Sequence, residues 1–360
     1  MNRPLTPRLS AHLGPRGVGA ALLAAALFGI TTPFAKMLLA STTPVLLAGL
    51  LYAGGGIGLA LTRLARDRRW RPLGLAPGQG GTLAAAVLCG GVLAPALLMA
   101  GLERTTAATA SLLLNLEGVL TALLAWFAFR ERASARVVTG LLAILAGAVA
   151  LALPGRGAAF GGAGAVLVMG ACLCWALDNN LTRRISAADA IALASIKGLA
   201  AGAVNIALAR VLGGAALPAG EPLAAAMALG FIGYGVSLAL FIVALRHLGA
   251  ARTGGYFATA PFIGAAVSML VFGRAEPPAF WLAAVAMAAG VWLQSSGPHE
   301  HEHEHPLLMH SHAHVHDEHH RHAHAGGWDG REPHTHVHRH EPLRHTHAHR
   351  HDFHHQHAHD

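Results

Sequence analysis

Ten windows of predominantly apolar residues, at 17–39, 44–62, 80–101, 106–128, 136–153, 161–181, 189–212, 222–245, 252–273 and 278–296, fill most of the chain. Each has roughly the 18 to 24 residues that a helix needs to cross a hydrocarbon core of about 30 Å. In such a core every backbone N–H and C=O must be paired within the protein, so these windows predict helices despite their many glycines. Small-residue stretches such as "AGGGIG" and "GAGAV" suit close helix packing. The chain is 54% hydrophobic and 12% charged even with its polar C-terminal region averaged in, which excludes an ordinary soluble domain.

The arginines orient the bundle. Arg3, Arg8 and Arg16 precede the first window, five arginines lie from Arg63 to Arg71, and Arg130, Arg132, Arg136, Arg183, Arg184, Arg246 and Arg252 follow at every second connection. The intervening connections hold only Arg104, Arg156, Arg210 and Arg274. By the positive-inside rule the arginine-rich ends are cytoplasmic, which predicts a multi-pass inner-membrane protein with both termini in the cytosol. The first window lacks a cleavage context, keeps Lys36 at its outer end and is followed by nine more, so it is a span and not a secretion signal. Cys89, Cys172 and Cys174 all fall inside windows, which argues against a disulfide framework. Cys172-x-Cys174 reads either as small thiols packed in a helix or as a soft-metal pair.

The membrane part is duplicated. "LNLEGVLTALLAWFAFRERASARVVTGLLAILAGAVAL" lies over "ATAPFIGAAVSMLVFGRAEPPAFWLAAVAMAAGVWL", and "LFGITTPFAK" over "CWALDNNLTR". Each half has five spans, an odd number, so the second half must enter the membrane upside down; inverted repeats of this kind mark secondary transporters. The expected fold is an all-α membrane protein of ten transmembrane helices in two inverted repeats, 17–153 and 161–296, after a cytoplasmic segment 1–16 and before a disordered tail, 297–360.

On Gly29 and Lys36 in the first span, the acidic "FRERAS" after the fourth, Trp175 in the sixth and "YFATAPFIGAAVSMLVFGRAE" through the ninth, residues 17–296 resemble the drug/metabolite transporter superfamily, in its EamA-like ten-helix branch. The resemblance implies a carrier of small metabolites, usually coupled to an ion gradient, and a few relatives move divalent cations. The chain departs from the pattern at Glu117, which stands where the ninth span has Pro261, and in its tail.

Residues that could carry transport are the polar ones inside spans. Glu117 is near the middle of the fourth, where a lone carboxylate is costly and seeks a partner or a polar cavity. It reads as a proton-coupling residue or as one permanently paired to Lys197 or to backbone. Asp178, Asn179 and Asn180 read as an oxygen-rich lining of the inner mouth or as a helix end meeting water before Arg183. Lys197 needs a carboxylate, with Glu117 and Asp178 the candidates, and suits gating or charge balance. Lys36 either snorkels to headgroups or lines the outer vestibule. Asn115, Asn205 and Tyr256 offer neutral donors and acceptors that equally serve helix–helix contact. Pro33 and Pro261 read as helix breaks that free carbonyls, or as packing kinks.

The tail holds 24 of the 26 histidines and is a tandem duplication with a period of 35 residues. Pro298–Ala325 overlays Pro333–Asp360, Leu308 meets Leu343, Asp317 meets Asp352, and the linker "GGWDGRE" has no histidine. The first copy carries His299, His301, His303, His305, His310, His312, His314, His316, His319, His320, His322 and His324. The second carries His334, His336, His338, His340, His345, His347, His349, His351, His354, His355, His357 and His359. A diverged duplicate with matched aspartates is native sequence, not a purification tag. So few apolar residues cannot bury a core, hence the expected disorder. Neutral imidazole binds nickel, cobalt, zinc and copper, so the tail is expected to take up a divalent transition metal, although a pH-sensitive brush or an idle repeat expansion remains the plain alternative.

The membrane part has 21 Lys and Arg against 8 Asp and Glu, and the tail 5 against 10. The basic surplus thus lies at the bilayer face, and no nucleic-acid partner is implied. No nucleophile triad, phosphate loop or metalloprotease spacing occurs, so no enzyme and no required cofactor are expected. The function read from sequence is an ion-coupled exporter of a small molecule. Its alternatives are a nickel, cobalt or zinc exporter fed by the tail, and a membrane-anchored metal store or sensor with little transport. The partners are the bilayer and a small-molecule or metal-ion substrate, and a homodimer is compatible with this layout.

Overall fold

The computed structural model describes residues 15–67, 78–129, 134–153, 162–185 and 189–295, and four strands at 299–305, 308–314, 334–340 and 343–349. Two compact units result, a helical one reaching Ser296 and a second at Gly297–Phe353.

Among the described residues of the first unit, ten helices are long and apolar enough to cross a membrane: α1 (Arg16–Leu38), α2 (Pro44–Asp67), α3 (Gly80–Arg104), α4 (Ala107–Phe127), α5 (Ala135–Ala152), α6 (Ala163–Arg183), α7 (Ala190–Val211), α8 (Glu221–Leu245), α9 (Arg252–Phe272) and α10 (Pro278–Ser295). All ten windows reappear, with ends shifted by a few residues. Polar residues start several of them. Thr106, Ser134 and Asp189 accept hydrogen bonds from the Thr109, Val137 and Ala192 amides, which otherwise lack helical partners. Gly273, left-handed at φ 60°, closes α9.

The pattern of helix contacts is that of a repeat. α2 packs on α7, α5 on α10 and α4 on α9; α3–α6 is matched by α8–α1, α4–α6 by α9–α1, and α2–α8 by α7–α3. Moving every helix by five places turns this set into itself, as two equivalent halves require. Small residues bring the partners close. A Cβ on Gly198 of α7 would stand 2.9 Å from the Gly56 Cα of α2, and one on Gly140 of α5 would stand 2.7 Å from the Gly290 carbonyl oxygen of α10. The core is leucine and alanine, with Leu46, Leu47, Leu51, Met99, Leu102, Leu112 and Leu113 fully buried. Phe127, Leu270 and Leu282 point outward at 81%, 83% and 72% exposure, as lipid-facing side chains do.

Five helices depart from regular α geometry. α1 is interrupted at Ile30, α4 at Leu114 and α9 at Ala258–Thr259. α3 carries a π-helical stretch at Val87–Leu93 and α8 one at Phe231–Val236. The α4 and α9 breaks fall at the same place of the sequence overlay, and the two π stretches lie in repeat-equivalent helices. Pro33 and Pro261 each follow a break, in the first turn of the next helical segment, where a missing N–H costs nothing. The α1 mate, α6, is continuous.

In the second unit β1 (His299–His305), β2 (Leu308–His314), β3 (His334–His340) and β4 (Leu343–His349) form two antiparallel pairs, β1 with β4 and β2 with β3. The alternation His-x-His has the period of a strand, which provides local extended structure without a core. His316, His319, His320, His322, His324, His351, His354, His355, His357 and His359 lie outside the described residues.

Candidate functional site

The break in α4 builds the centre of the site. Past Leu114 a new helical segment, Asn115–Phe129, begins with Glu117 in its first turn, near the middle of the span. Helix N-terminal amides favour negative charge, so the break supports a carboxylate where a continuous helix would not. The carbonyls loosened by the break are partly taken up: Asn115 Nδ2 donates to Leu112 O at 2.9 Å, and Cys172 Sγ to Leu113 O at 3.5 Å. All three cysteines are free, and among the described residues of the helical unit no three His, Cys, Asp or Glu side chains form a metal-holding group. Cys172 is fully buried in α6.

Glu117 is bound from α6. Asn179 Nδ2 donates to Glu117 Oε1 at 2.9 Å and reaches Thr121 Oγ1 at 3.3 Å. Its neighbour Asn180 donates to Thr121 O at 3.2 Å and to Ala176 O at 2.9 Å. Of the two carboxylates that are candidate partners for Lys197, it meets Asp178: Lys197 Nζ of α7 lies 2.5 Å from Asp178 Oδ1, and 3.0 Å from Thr182 Oγ1. The Thr182 hydroxyl donates to Asp178 Oδ1 at 2.9 Å, closing a triangle. The side chains of Lys197 and Asp178 are 15% and 11% exposed. Such a pair is held only while both charges are present, because either one alone would be left desolvated.

This triangle rests on the π stretch of α3. A Cβ on Gly90 would collide with the Asp178 carboxylate, so glycine makes room for the acid. The Gly90 carbonyl accepts from Tyr52 Oη and from Trp175 Nε1, both at 2.9 Å, and Trp175 Nε1 also reaches Tyr52 Oη at 3.1 Å. At the next two residues of the stretch, the fully buried Asn205 of α7 donates to Gly91 O at 3.2 Å and Val92 O at 3.4 Å. Irregular backbone in a membrane is tolerated where such partners re-satisfy it.

The other half has the same contact without the charge. In the overlay of α1 on α6, Thr31 corresponds to Asp178, and a Cβ on Gly233 in the α8 π stretch would collide with the Thr31 hydroxyl. Pro261 likewise stands where α4 has Glu117. The inverted repeat thus supplies two equivalent positions, and only one is acidic.

A second polar region lies at the opposite, arginine-poor end. A cavity of about 360 Å³ is lined by Lys36, Glu103, Arg104, Thr106, Arg274 and Glu276, among others. Lys36 Nζ donates to the Leu102 and Glu103 carbonyls that end α3, at 2.5 and 3.1 Å, which suits the vestibule reading of this lysine over snorkelling. Burial pushes the Glu276 carboxyl up, opposed by the Arg274 charge and a hydrogen bond from Thr106.

Of the residues singled out from sequence, Glu117, Asp178, Asn179, Asn180 and Lys197 come together. Asn205 joins them through α3, whereas Asn115 caps its own helix. Lys36 serves the far end. Tyr256 packs against the small cluster of Ala21, Ala244 and Leu248, apart from that network. Sequence reading missed Tyr52, Thr121, Thr182 and Gly90, and the charges Glu103 and Arg274. Tyr52 was detectable as a polar-tipped aromatic inside a span; Gly90 was one small residue among 43 glycines.

Comparison with known proteins agrees with the duplicated architecture. The model of the EamA-like transporter family matches residues 15–153 and again 162–296. A curated protein of Methanothermobacter thermautotrophicus, described as an uncharacterized transporter, is 29% identical over 285 residues, covering 74% of this chain and 82% of the relative. A solved crystal structure aligns with a TM-score of 0.56 at 22% identity, over 76% of this chain and 95% of that one, a likeness of fold.

Proposed function

The chain belongs to the EamA-like transporter family, and from that premise we propose that it is an ion-coupled exporter in which Glu117 carries the exchanged proton. It is a multi-pass membrane transporter of the drug/metabolite type. Proton coupling is supported by the placement of Glu117 at the start of a half-helix in a broken span, held by Asn179 of a neighbouring helix. Broken helices are where secondary transporters place coupling and substrate groups.

In the ionised state Glu117 accepts from Asn179 and ties α4 to α6. Protonation removes the charge, weakens that charge-assisted bond and lets the two helices move without carrying a buried anion. The Asp178–Lys197 pair stays neutral as a unit and serves as the fixed polar wall. With the arginine-rich ends in the cytosol, an inward proton gradient exchanged at Glu117 drives the substrate outward. The test is proton-driven uptake of a panel of small metabolites into everted vesicles. Glu117→Gln is expected to abolish the pH-driven component, and wild-type rates in that variant would remove Glu117 from the mechanism.

The histidine tail is read as a divalent-metal-binding accessory of this carrier, on the chemistry of its 24 imidazoles. Those imidazoles also favour a second reading, in which nickel, cobalt or zinc is itself the cargo. Unchanged cellular content of all three metals after loss of the gene, under metal stress, would sink that reading.

A further inference from the structure

The tail strands repeat the duplication in space. A shift of 35 residues turns β1 into β3 and β2 into β4. The pairing is crosswise, so each copy's first strand lies against the other copy's second. The registers are also equivalent: His299, His301 and His303 stand opposite His349, His347 and His345, while His334, His336 and His338 stand opposite His314, His312 and His310. Exchanging the copies converts one ladder into the other, residue for residue.

Chain chemistry favours this over the local alternative. A hairpin within one copy would turn through Pro306-Leu307 or Glu341-Pro342. Two-residue hairpin turns want Gly or Asn at positive φ, and proline is locked at negative φ.

Residues directly opposite in an antiparallel pair share a face, as do alternate residues along a strand. Each ladder therefore has one face of seven histidines, four from one copy and three from the other. Two successive His–His register positions bring four histidines of one face to neighbouring places on the ladder, and imidazole is a donor suited to zinc, nickel or copper. An isolated two-stranded pair is marginal in water, so ligand bonds across it couple metal uptake to strand pairing.

We propose that the tail holds divalent transition metal in two equivalent ladders, each shared between the copies, so that one copy alone supplies only half of every ligand set. This rests on the metal-binding reading of the tail and adds where the ions sit. The full-length protein in detergent is equilibrated with zinc at one fixed, low free concentration, and bound zinc is counted. Four chains are compared: wild type, alanine at the seven strand histidines of the first copy, alanine at those of the second, and alanine at all fourteen. Shared ladders predict that the three variants lose the same number of ions. Losses that add, with the fourteen-fold variant losing about the sum of the other two, would overturn the proposal, as would no loss in any variant. Wild-type protein that holds no more zinc than a chain ending at Gly297 would overturn the metal-binding reading itself. Circular dichroism of the helical unit checks that each variant is folded.

Discussion

The Asp178 carboxylate occupies the space above Gly90 that a side chain there would need. The π stretch of α3 brings that glycine under α6, and Lys197 of α7 closes the site from the third side. Thr31 over Gly233 is the uncharged counterpart in the other repeat.

Gly90→Ala is therefore expected to displace Asp178 and to cost about 1–3 kcal/mol, the usual penalty of overpacking. Gly118, beside Glu117, has open space where its Cβ would be, so Gly118→Ala should change stability by less than about 0.5 kcal/mol. Unfolding midpoints of the two variants in the same detergent provide the comparison. Equal effects would mean that the Gly90 contact is unimportant.

Lys197→Met leaves Asp178 desolvated and alone, with an expected loss of about 3–5 kcal/mol. Asp178→Asn combined with Lys197→Met should recover most of that loss, because no charge is then stranded. A double-mutant cycle by denaturant unfolding measures the coupling, and simple additivity would show that the pair does not act as one.

At the arginine-rich end Asp189 caps α7 through the Ala192 amide and takes Arg66 of α2 at 2.6 Å. Burial raises its carboxyl, but the amide hydrogen bond and the Arg66 guanidinium outweigh this and hold it below the usual carboxylate range. Asp189→Ala should cost about 1 kcal/mol, mostly the lost cap, since a partly exposed ion pair adds little. A lowered folded value means that the stabilisation is complete above the ordinary aspartate pKa of about 3.9 and disappears as pH falls through the folded value. Thermal melts of both proteins as a function of pH should converge in acid; a constant gap would contradict the assignment.

Glu276 gives the opposite sign. Its carboxyl is raised, so relative to Glu276→Gln the wild type is favoured below the ordinary glutamate pKa of about 4.3 and loses that advantage as pH rises through the folded value. Melting the two proteins side by side from acid to neutral pH tests this, and a difference that grows in the wild type's favour with pH would refute it.

All ten spans were legible in the sequence, to within a few residues, because the need to pair every backbone group in a bilayer acts on each segment separately. The duplication was legible too, and Pro33 and Pro261 stand just past the breaks in α1 and α9, whereas the α4 break at Leu114 has no such signal. The partners of the charged groups were not. Sequence offered Lys197 to both Glu117 and Asp178, and the choice turned on which faces α4, α6 and α7 present to one another. Those faces are set by glycine contacts such as Gly56 on Gly198 and by the π stretch in α3, neither of which leaves a periodic signal.

The tail divides in the same way. Composition and period, read from residues alone, determined that this region has no apolar core, that it is two matched copies, and that its histidines alternate along the chain. Only the tertiary structure decided that the copies pair crosswise, as it decided that Asp178 takes Lys197 and Glu117 takes Asn179. The physical reason is common to both. Local structure follows from costs counted residue by residue along the chain, whereas partner choice depends on how distant segments are rotated and aligned against one another.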